Sequence, residues 1–300
     1  MHQRYSVVHE VATTPTGQVL HCLDRQSGQH VVLKRIQVRF LSTAPSTDMS
    51  LERRIHRRLC DGGGHRHILG LLDDFAADGF DTLVLEHCGR GELFSLVENA
   101  PDRRLAPPLV QASFAGICDA VHYMHKQGIA HGDLSLENVL VTDAGMLKLS
   151  DFGSATPFDA ILRNQQMAGK PFYMAPEIHR SGAFDPSKAD VWSVGVMLFM
   201  LVTGNPPFES SHASDPSMQF VATNGCRALC AAWHVDDVIP ADAMDLLENL
   251  LVIDPAERWS MAQVMSHAYI RHSHDHDLMA LHPELQLLTS PPGLLQLAAH

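Results

Sequence analysis

Three hundred residues, 45% apolar and 19% charged, suffice for one large domain or two modest ones with a real core, and they match an ordinary globular protein. The net charge of −12 hides an asymmetry, +5 over residues 1–70 and −17 over the rest, which argues against a general nucleic-acid binder and leaves basic protein partners or a solvated acidic surface. No opening apolar segment reads as a signal peptide, the longest apolar run (191–202) is too short for a bilayer, and six cysteines without Cys-x-x-Cys spacing read as reduced thiols of a cytoplasmic chain.

"YSVVHEV", "GQVLHCLD" and "HVVLKRIQV" alternate apolar and polar residues and predict three strands of an antiparallel sheet. "SLERRIHRRL" has helical spacing: Glu52, Ile55, His56 and Leu59 share one face, and Arg53, Arg54, Arg57 and Arg58 share the other. The glycines of "CDGGGH" end that helix. Two more strand-like pieces, "ILGLLDDFA" and "DTLVLEHC", complete the sheet. From about Gly89 the pattern turns helical, through "ELFSLVENA", "LVQASFAGICDAVHYMHKQG", "ADVWSVGVMLFMLVTG" and "ADAMDLLENLLVID". The expectation is an α+β protein of two lobes. A small β-rich lobe with one main helix covers about residues 1–88, and a larger α-helical lobe covers about 89–270. Residues 271–300 contain His and Pro without sustained patterning and are expected to form a poorly ordered tail; there is no internal repeat.

Several short signals occur in one order. Val31-Val32-Leu33-Lys34 is a strand ending in a lysine, and Glu52 follows eighteen residues later on the inward face of the helix. Asp133 and Asn138 lie five apart in "HGDLSLEN", Asp151-Phe152-Gly153 begins eighteen residues after Asp133, and Ala175-Pro176-Glu177 comes next. A lone "DFG" arises by chance, whereas the ordered set is specific. On these residues the chain resembles a eukaryotic protein kinase domain over residues 5–270, with "DVWSVGV", "GNPPF" and "DPAER" extending the resemblance through the second lobe. It looks like a divergent member of the serine/threonine branch, similar to the calcium/calmodulin-dependent or AGC kinases.

The resemblance implies ATP and Mg²⁺ as cofactors and phosphoryl transfer to serine or threonine of protein substrates. It assigns catalytic positions to Lys34, held by Glu52 against the α- and β-phosphates, and to Asp133, which orients the acceptor hydroxyl and takes its proton. Asn138 and Asp151 supply hard oxygen ligands for the metal. The ATP-binding positions are Val11, Gly17, Val19, Val32, Lys34, Leu85, Glu86, Cys88 and Leu140. Backbone groups of Glu86 and Cys88 meet the adenine edge, Leu85 stands at the gate of the pocket behind it, and Val19, Val32 and Leu140 sandwich the purine. Glu177 and Arg258 resemble the buried pair of the large lobe, and Asp190 the residue bracing the catalytic loop.

The departures bear on whether transfer occurs. The phosphate-covering G-x-G-x-x-G reads Ala12-Thr13-Thr14-Pro15-Thr16-Gly17, so only the last glycine remains, and a stiffer lid implies weaker ATP binding. Val32 replaces the usual alanine and trims the adenine pocket. His56 stands where an apolar residue usually stacks behind the site, as an ordinary partly buried histidine or as a pH-sensing group. Gly132 replaces the arginine that pairs with a phosphorylated activation segment. Residues 157–168, "PFDAILRNQQMA", contain no Ser, Thr or Tyr, which points to regulation by other means. Ser135 replaces the lysine that steadies the γ-phosphate, while Lys170 in "AGKPFYMAPE" stands where the family has threonine. Lys170 either supplies the missing cation from the opposite side as a catalytic residue or points to solvent.

Glu92 of "GRGELF" and Glu137 resemble the substrate-binding carboxylates that receive arginines upstream of the acceptor in basophilic kinases. With the −17 balance of residues 71–300 they imply basic Ser/Thr peptides as substrates, although Glu137 is alternatively structural. The arginine face near residue 55 is either a docking surface for a regulatory protein or a solvated face. "HSHDHD" at 272–277 offers ligands to a transition metal or is a disordered polar segment, and "LHPELQLL" has the pattern of a short docking helix. Neither nucleic acid nor membrane is expected as a partner. Two functions follow, an active serine/threonine kinase or a pseudokinase scaffold, and the presence of Lys34, Glu52, Asp133, Asn138 and Asp151 favours the enzyme.

Overall fold

Alternation dictates the first lobe. Strands β1 (Tyr5–Thr13), β2 (Gly17–Asp24), β3 (His30–Gln37), β4 (Leu71–Ala77) and β5 (Phe80–Glu86) pair antiparallel in the order β1-β2-β3-β5-β4. The structure, a computed structural model, describes residues 4–13, 16–38, 49–160, 169–180 and 182–271. The "HSHDHD" and "LHPELQLL" strings, the rest of the tail after Arg271, Thr14 and Pro15 of the phosphate-loop pattern, and residues 161–168 lie outside them. Successive side chains on a strand point to opposite faces. Val19, Val32, Leu83 and Leu85 therefore gather on one face with Cys88 and Leu140, and Leu20, Cys22, Val31, Leu33 and Val84 gather on the other with Tyr5. Register sets Val19 opposite Lys34, and Lys34 opposite Leu83, so the lysine shares the face of Val19 and Val32.

Helix α1 (Met49–Cys60) buries Met49, Glu52, Ile55, His56 and Leu59, the face its spacing predicts. Gly62, Gly63 and Gly64, at φ +65°, +102° and +66°, turn the chain out of the helix through conformations that a Cβ makes costly. The opposite, arginine-rich face, left open between a docking surface and a solvated face, is partly engaged within the chain. Arg53 pairs with Asp74 and Asp81, Arg57 grips both oxygens of Asp74 at 2.7 and 2.9 Å, and Arg58 donates to the Gln127 carbonyl at 2.6 Å. Three of the four arginines thus tie α1 to β4, β5 and the second lobe, although Arg57 and Arg58 stay exposed, as Arg54 is.

The second lobe contains α2 (Leu93–Glu98), α3 (Pro107–Lys126), β6 (Ile129–Ala130), β7 (Val139–Val141), β8 (Leu147–Leu149) and β9 (Thr156–Pro157). It continues through α4 (Pro186–Thr203), α5 (Pro216–Asn224), α6 (Cys226–Ala232), α7 (Ala241–Leu250), α8 (Met261–Ser266) and α9 (Ala268–Arg271). Helix α4 is buried on all sides from Ala189 onward because it runs through the core. Asp185 caps its start by accepting from Ser187 N at 2.8 Å, and Gly204 at φ +79° ends it. A Cβ at Gly195 would stand 2.9 Å from Leu250 and Leu251, so glycine lets α4 and the end of α7 close on each other. Among the described residues no helix is long and apolar enough to cross a membrane. The six cysteines are free thiols.

The lobe's deepest charge is Arg258, whose side chain is fully buried. Its two terminal nitrogens donate to the two oxygens of Glu177 at 2.7 and 3.0 Å, and its other donors reach the carbonyls of Val252 and Lys188. The guanidinium also lies over the Trp192 ring at 5.1 Å. Removing one partner leaves the other charge buried and uncompensated, so Glu177→Ala is expected to lower the unfolding free energy by about 3–5 kcal/mol. Urea denaturation measures this, and a loss below about 1 kcal/mol, the size of an exposed pair, would contradict it.

Candidate active site

Three charged groups from three separate elements meet at the back of the cleft between the lobes. Lys34 Nζ on β3 lies 2.8 Å from Glu52 Oε1 on α1 and 2.8 Å from Asp151 Oδ1, just after β8. Burial pulls the Lys34 ammonium down, but Asp151 and Glu52 more than offset this and hold it above its ordinary value. Burial pushes the Asp151 carboxyl up, and Lys34 pulls it below the ordinary range, so it remains ionised. Asp151 occupies a left-handed conformation at φ +59°, a backbone cost kept where the geometry serves the site.

The loop between β6 and β7 hangs from α4. The Asp190 carboxylate accepts from His131 N at 2.8 Å and Gly132 N at 3.0 Å, and pairs with His125 Nε2 at 2.8 Å. His131 is fully buried with Nε2 2.9 Å from the Ser150 carbonyl, which only accepts; the ring proton is therefore on Nε2, and Nδ1 accepts from Asp133 N at 3.2 Å. Asn138 Nδ2 donates to the Asp133 carbonyl at 2.8 Å and to its Oδ2 at 3.0 Å. Burial raises the Asp133 carboxyl above its ordinary 3.8, aided by the Asp151 charge, while His131, Asn138 and Lys170 pull the other way.

Of the positions assigned to ATP, Val32, Lys34, Leu85, Glu86, Cys88 and Leu140 line a cleft of about 460 Å³. Val19 packs among these apolar residues and Val11 against them. The Glu86 carboxylate turns away to accept from Gly70 N at 3.1 Å and Lys148 at 3.0 Å, leaving that stretch to its backbone. Gly17 is outside the lining. A Cβ there would stand 2.2 Å from the Arg35 carbonyl, so its glycine is required by the approach of β2 to β3.

Gly132 lies at φ +77°, and a Cβ on it would stand 2.6 Å from the Ser154 carbonyl. Its backbone, not only a missing arginine, calls for glycine. Ser135 is fully buried with an unpartnered Oγ among the described residues. Lys170 Nζ pairs with Glu137 Oε1 at 3.1 Å, and Glu137 Oε2 accepts from the Tyr173 hydroxyl at 3.1 Å. Glu137 is thus occupied by its own chain, and Glu92, at the start of α2, is buried to 6% exposure.

A model of the protein kinase domain family matches residues 5–270. The chain belongs to the protein kinase family. Among curated relatives, NUAK family SNF1-like kinase 1 of Homo sapiens is 28% identical over 89% of this chain and 38% of its own length. CBL-interacting protein kinase 29 of Oryza sativa subsp. japonica is 32% identical over 72% of this chain and 46% of its own. Serine/threonine-protein kinase chk1 of Schizosaccharomyces pombe is 29% identical over 90% and 54%. The chain therefore spans only about two fifths to one half of these relatives, 38–54%.

One histidine cluster of this kinase escapes a reading by motif, and the surroundings of His56, which the motif did mark, emerge only in the fold. His9, His21, His30 and His87 meet in one cluster, with His21 2.8 Å from His30, 3.3 Å from His9 and stacked on His87 at 4.3 Å. They come from three strands and the inter-lobe connection, and only pairing brings them together. His56 is 2% exposed, and its ring meets Phe152 edge-on at 4.7 Å, as Phe152 meets His131 at 5.6 Å. Its Nε2 donates to the Leu69 carbonyl at 2.7 Å, which leaves Nδ1 a buried acceptor without a partner among the described residues. Burial lowers His56 from 6.5 to about 4, so the ring is neutral at neutral pH.

Because the unfolded chain binds the His56 proton first, its contribution to stability is complete above about pH 6.5 and is lost as pH falls towards 4. At 1.36 kcal/mol per unit this amounts to about 3 kcal/mol. Thermal melts of His56→Leu are expected to decline less between pH 6.5 and 4 than those of the unaltered chain. Parallel declines would show that His56 does not titrate as its burial requires.

Proposed function

We propose that this chain is an ATP- and Mg²⁺-dependent protein serine/threonine kinase that favours basic sequences. The observation that carries this reading is the Lys34 bridge to Glu52 and Asp151, assembled beside the Asp133–Asn138 pair at the end of an apolar cleft. The serine/threonine kinases named above support the acceptor class. The same assembled set supports the enzyme over the scaffold. Free thiols accord with a cytoplasmic setting.

Phosphoryl transfer needs positioning and charge neutralisation more than covalent chemistry. Val19, Val32 and Leu140 hold the purine, and Lys34 reaches the phosphates from a fixed rotamer. The Asp133 carboxylate, steadied by Asn138 Nδ2, receives the proton of the acceptor hydroxyl, and burial makes it a better base than an exposed carboxylate. Asn138 and Asp151 would bring hard oxygens to the metal. Two such donors suit Mg²⁺, which would neutralise phosphate charge when bound. In this reading Lys170 serves as the cation that Ser135 does not supply.

Transfer of labelled γ-phosphate to a basic serine peptide is expected to fall about 100-fold or more in Asp133→Asn. Equal signals from the folded variant and the unaltered chain would overturn the reading. Lys170→Ala is expected to lower kcat about 10- to 100-fold with ATP affinity nearly unchanged, and adding Ser135→Lys to restore it. Full activity of Lys170→Ala would remove its catalytic role.

A further inference from the structure

The cation invoked for catalysis and the carboxylate invoked for substrate recognition hold each other. Lys170 Nζ lies 3.1 Å from Glu137 Oε1, with the lysine side chain 30% exposed and the glutamate 12%. Glu137 is oriented from its other side by the Tyr173 hydroxyl, which itself accepts from Leu136 N at 3.2 Å. The residue before Lys170 lies beside the catalytic group: a Cβ on Gly169 would stand 3.3 Å from Asp133 Oδ1. The backbone that carries Lys170 therefore runs beside Asp133, while its ammonium is tied four residues along the same loop. Ser135, between these two carboxylates in sequence, brings no charge.

We propose that Lys170 and a basic side chain of the substrate exchange at Glu137. An arginine of the bound peptide takes the carboxylate, and the displaced ammonium moves to the acceptor side of Asp133, where the phosphoryl group transfers. Lys170 is then a specificity-determining residue. It makes the rate of transfer, and not only the affinity, depend on a basic residue in the substrate.

The exchange is energetically accessible. A single-point ammonium–carboxylate contact is readily exchanged, because a guanidinium offers the same carboxylate two parallel donors. Arginine is therefore favoured over lysine as the incoming group. The Tyr173 bond keeps Glu137 in place throughout, so the receptor is formed before the substrate arrives. This inference rests on the kinase reading above.

The test uses two serine peptides, identical except for arginines or alanines on the N-terminal side of the serine. Steady-state kcat and KM are measured at saturating Mg²⁺ and ATP for the unaltered chain, Lys170→Ala and Glu137→Gln. The unaltered chain is expected to show a kcat about tenfold higher on the arginine peptide, equivalent to about 1.4 kcal/mol of barrier, besides a lower KM. In Lys170→Ala the kcat difference disappears. In Glu137→Gln, which can keep the Tyr173 bond through its amide oxygen, kcat on the alanine peptide rises to the arginine-peptide value, while KM for the arginine peptide increases. Thermal melting of each variant, with Lys170→Met as a second variant keeping the aliphatic stem, separates these effects from unfolding. An arginine-peptide kcat advantage that survives Lys170→Ala, or a Glu137→Gln protein slowed on both peptides, would overturn the exchange while leaving the kinase reading intact. Absence of transfer by the unaltered chain to both peptides would overturn the kinase reading and the exchange with it.

Discussion

The bridge from Lys34 to Glu52 and Asp151 is the constraint on which the site depends. It joins a strand of the small lobe, its one long helix and the segment after β8, at 2.8 Å on each side. An ammonium buried at this depth is tolerable only with both carboxylates in reach, because each charge alone carries a desolvation cost of several kcal/mol. The position of α1 therefore decides where the lysine is held. The Arg53 and Arg57 pairs with Asp74 and Asp81 hold that helix from its outer face. Its charged surface serves the site indirectly, by fixing where Glu52 can stand.

The second lobe solves a different problem, that of presenting a loop with little regular structure in one conformation. Asp190 does this from the buried helix α4 by accepting two backbone N–H groups, one of them from Gly132 at φ +77°. The arrangement explains why the loop tolerates Gly132. The backbone needs a left-handed residue beside Ser154, and glycine supplies it without a side chain to crowd the segment. Phe152, between His56 and His131, links this loop to α1, so the two lobes share one packed seam behind the cleft. A histidine in that seam is compatible with burial because it is neutral, with one nitrogen bonded and the other bare.

The candidate site was largely legible along the chain because the phosphoryl transfer proposed for it demands particular side chains in a particular order. Lys34, Glu52, Asp133, Asn138 and Asp151 have few chemical substitutes, and their spacing reflects strand and loop lengths that the fold imposes. The long elements were legible for a related reason. A twenty-residue helix such as α3 or a run as apolar as α4 carries its burial in its composition. Strands β6 and β9, at two residues each, are too short to show alternation and exist only because a neighbour pairs with them.

What the sequence determined by itself was the family, the two-lobed α+β architecture and the inventory of reactive groups, since patterning and residue chemistry are local properties of the chain. Only the tertiary structure decided the partners. Glu137 is taken by Lys170 and Tyr173, Glu92 is buried, and three arginines that looked free to receive a partner bond within the chain. Gly17, read as a remnant of a phosphate loop, is required by the carbonyl of Arg35 beneath it. Charge and residue type are written along the chain. Which opposite charge lies within 3 Å depends on contacts between residues tens of positions apart, and folding alone brings those together.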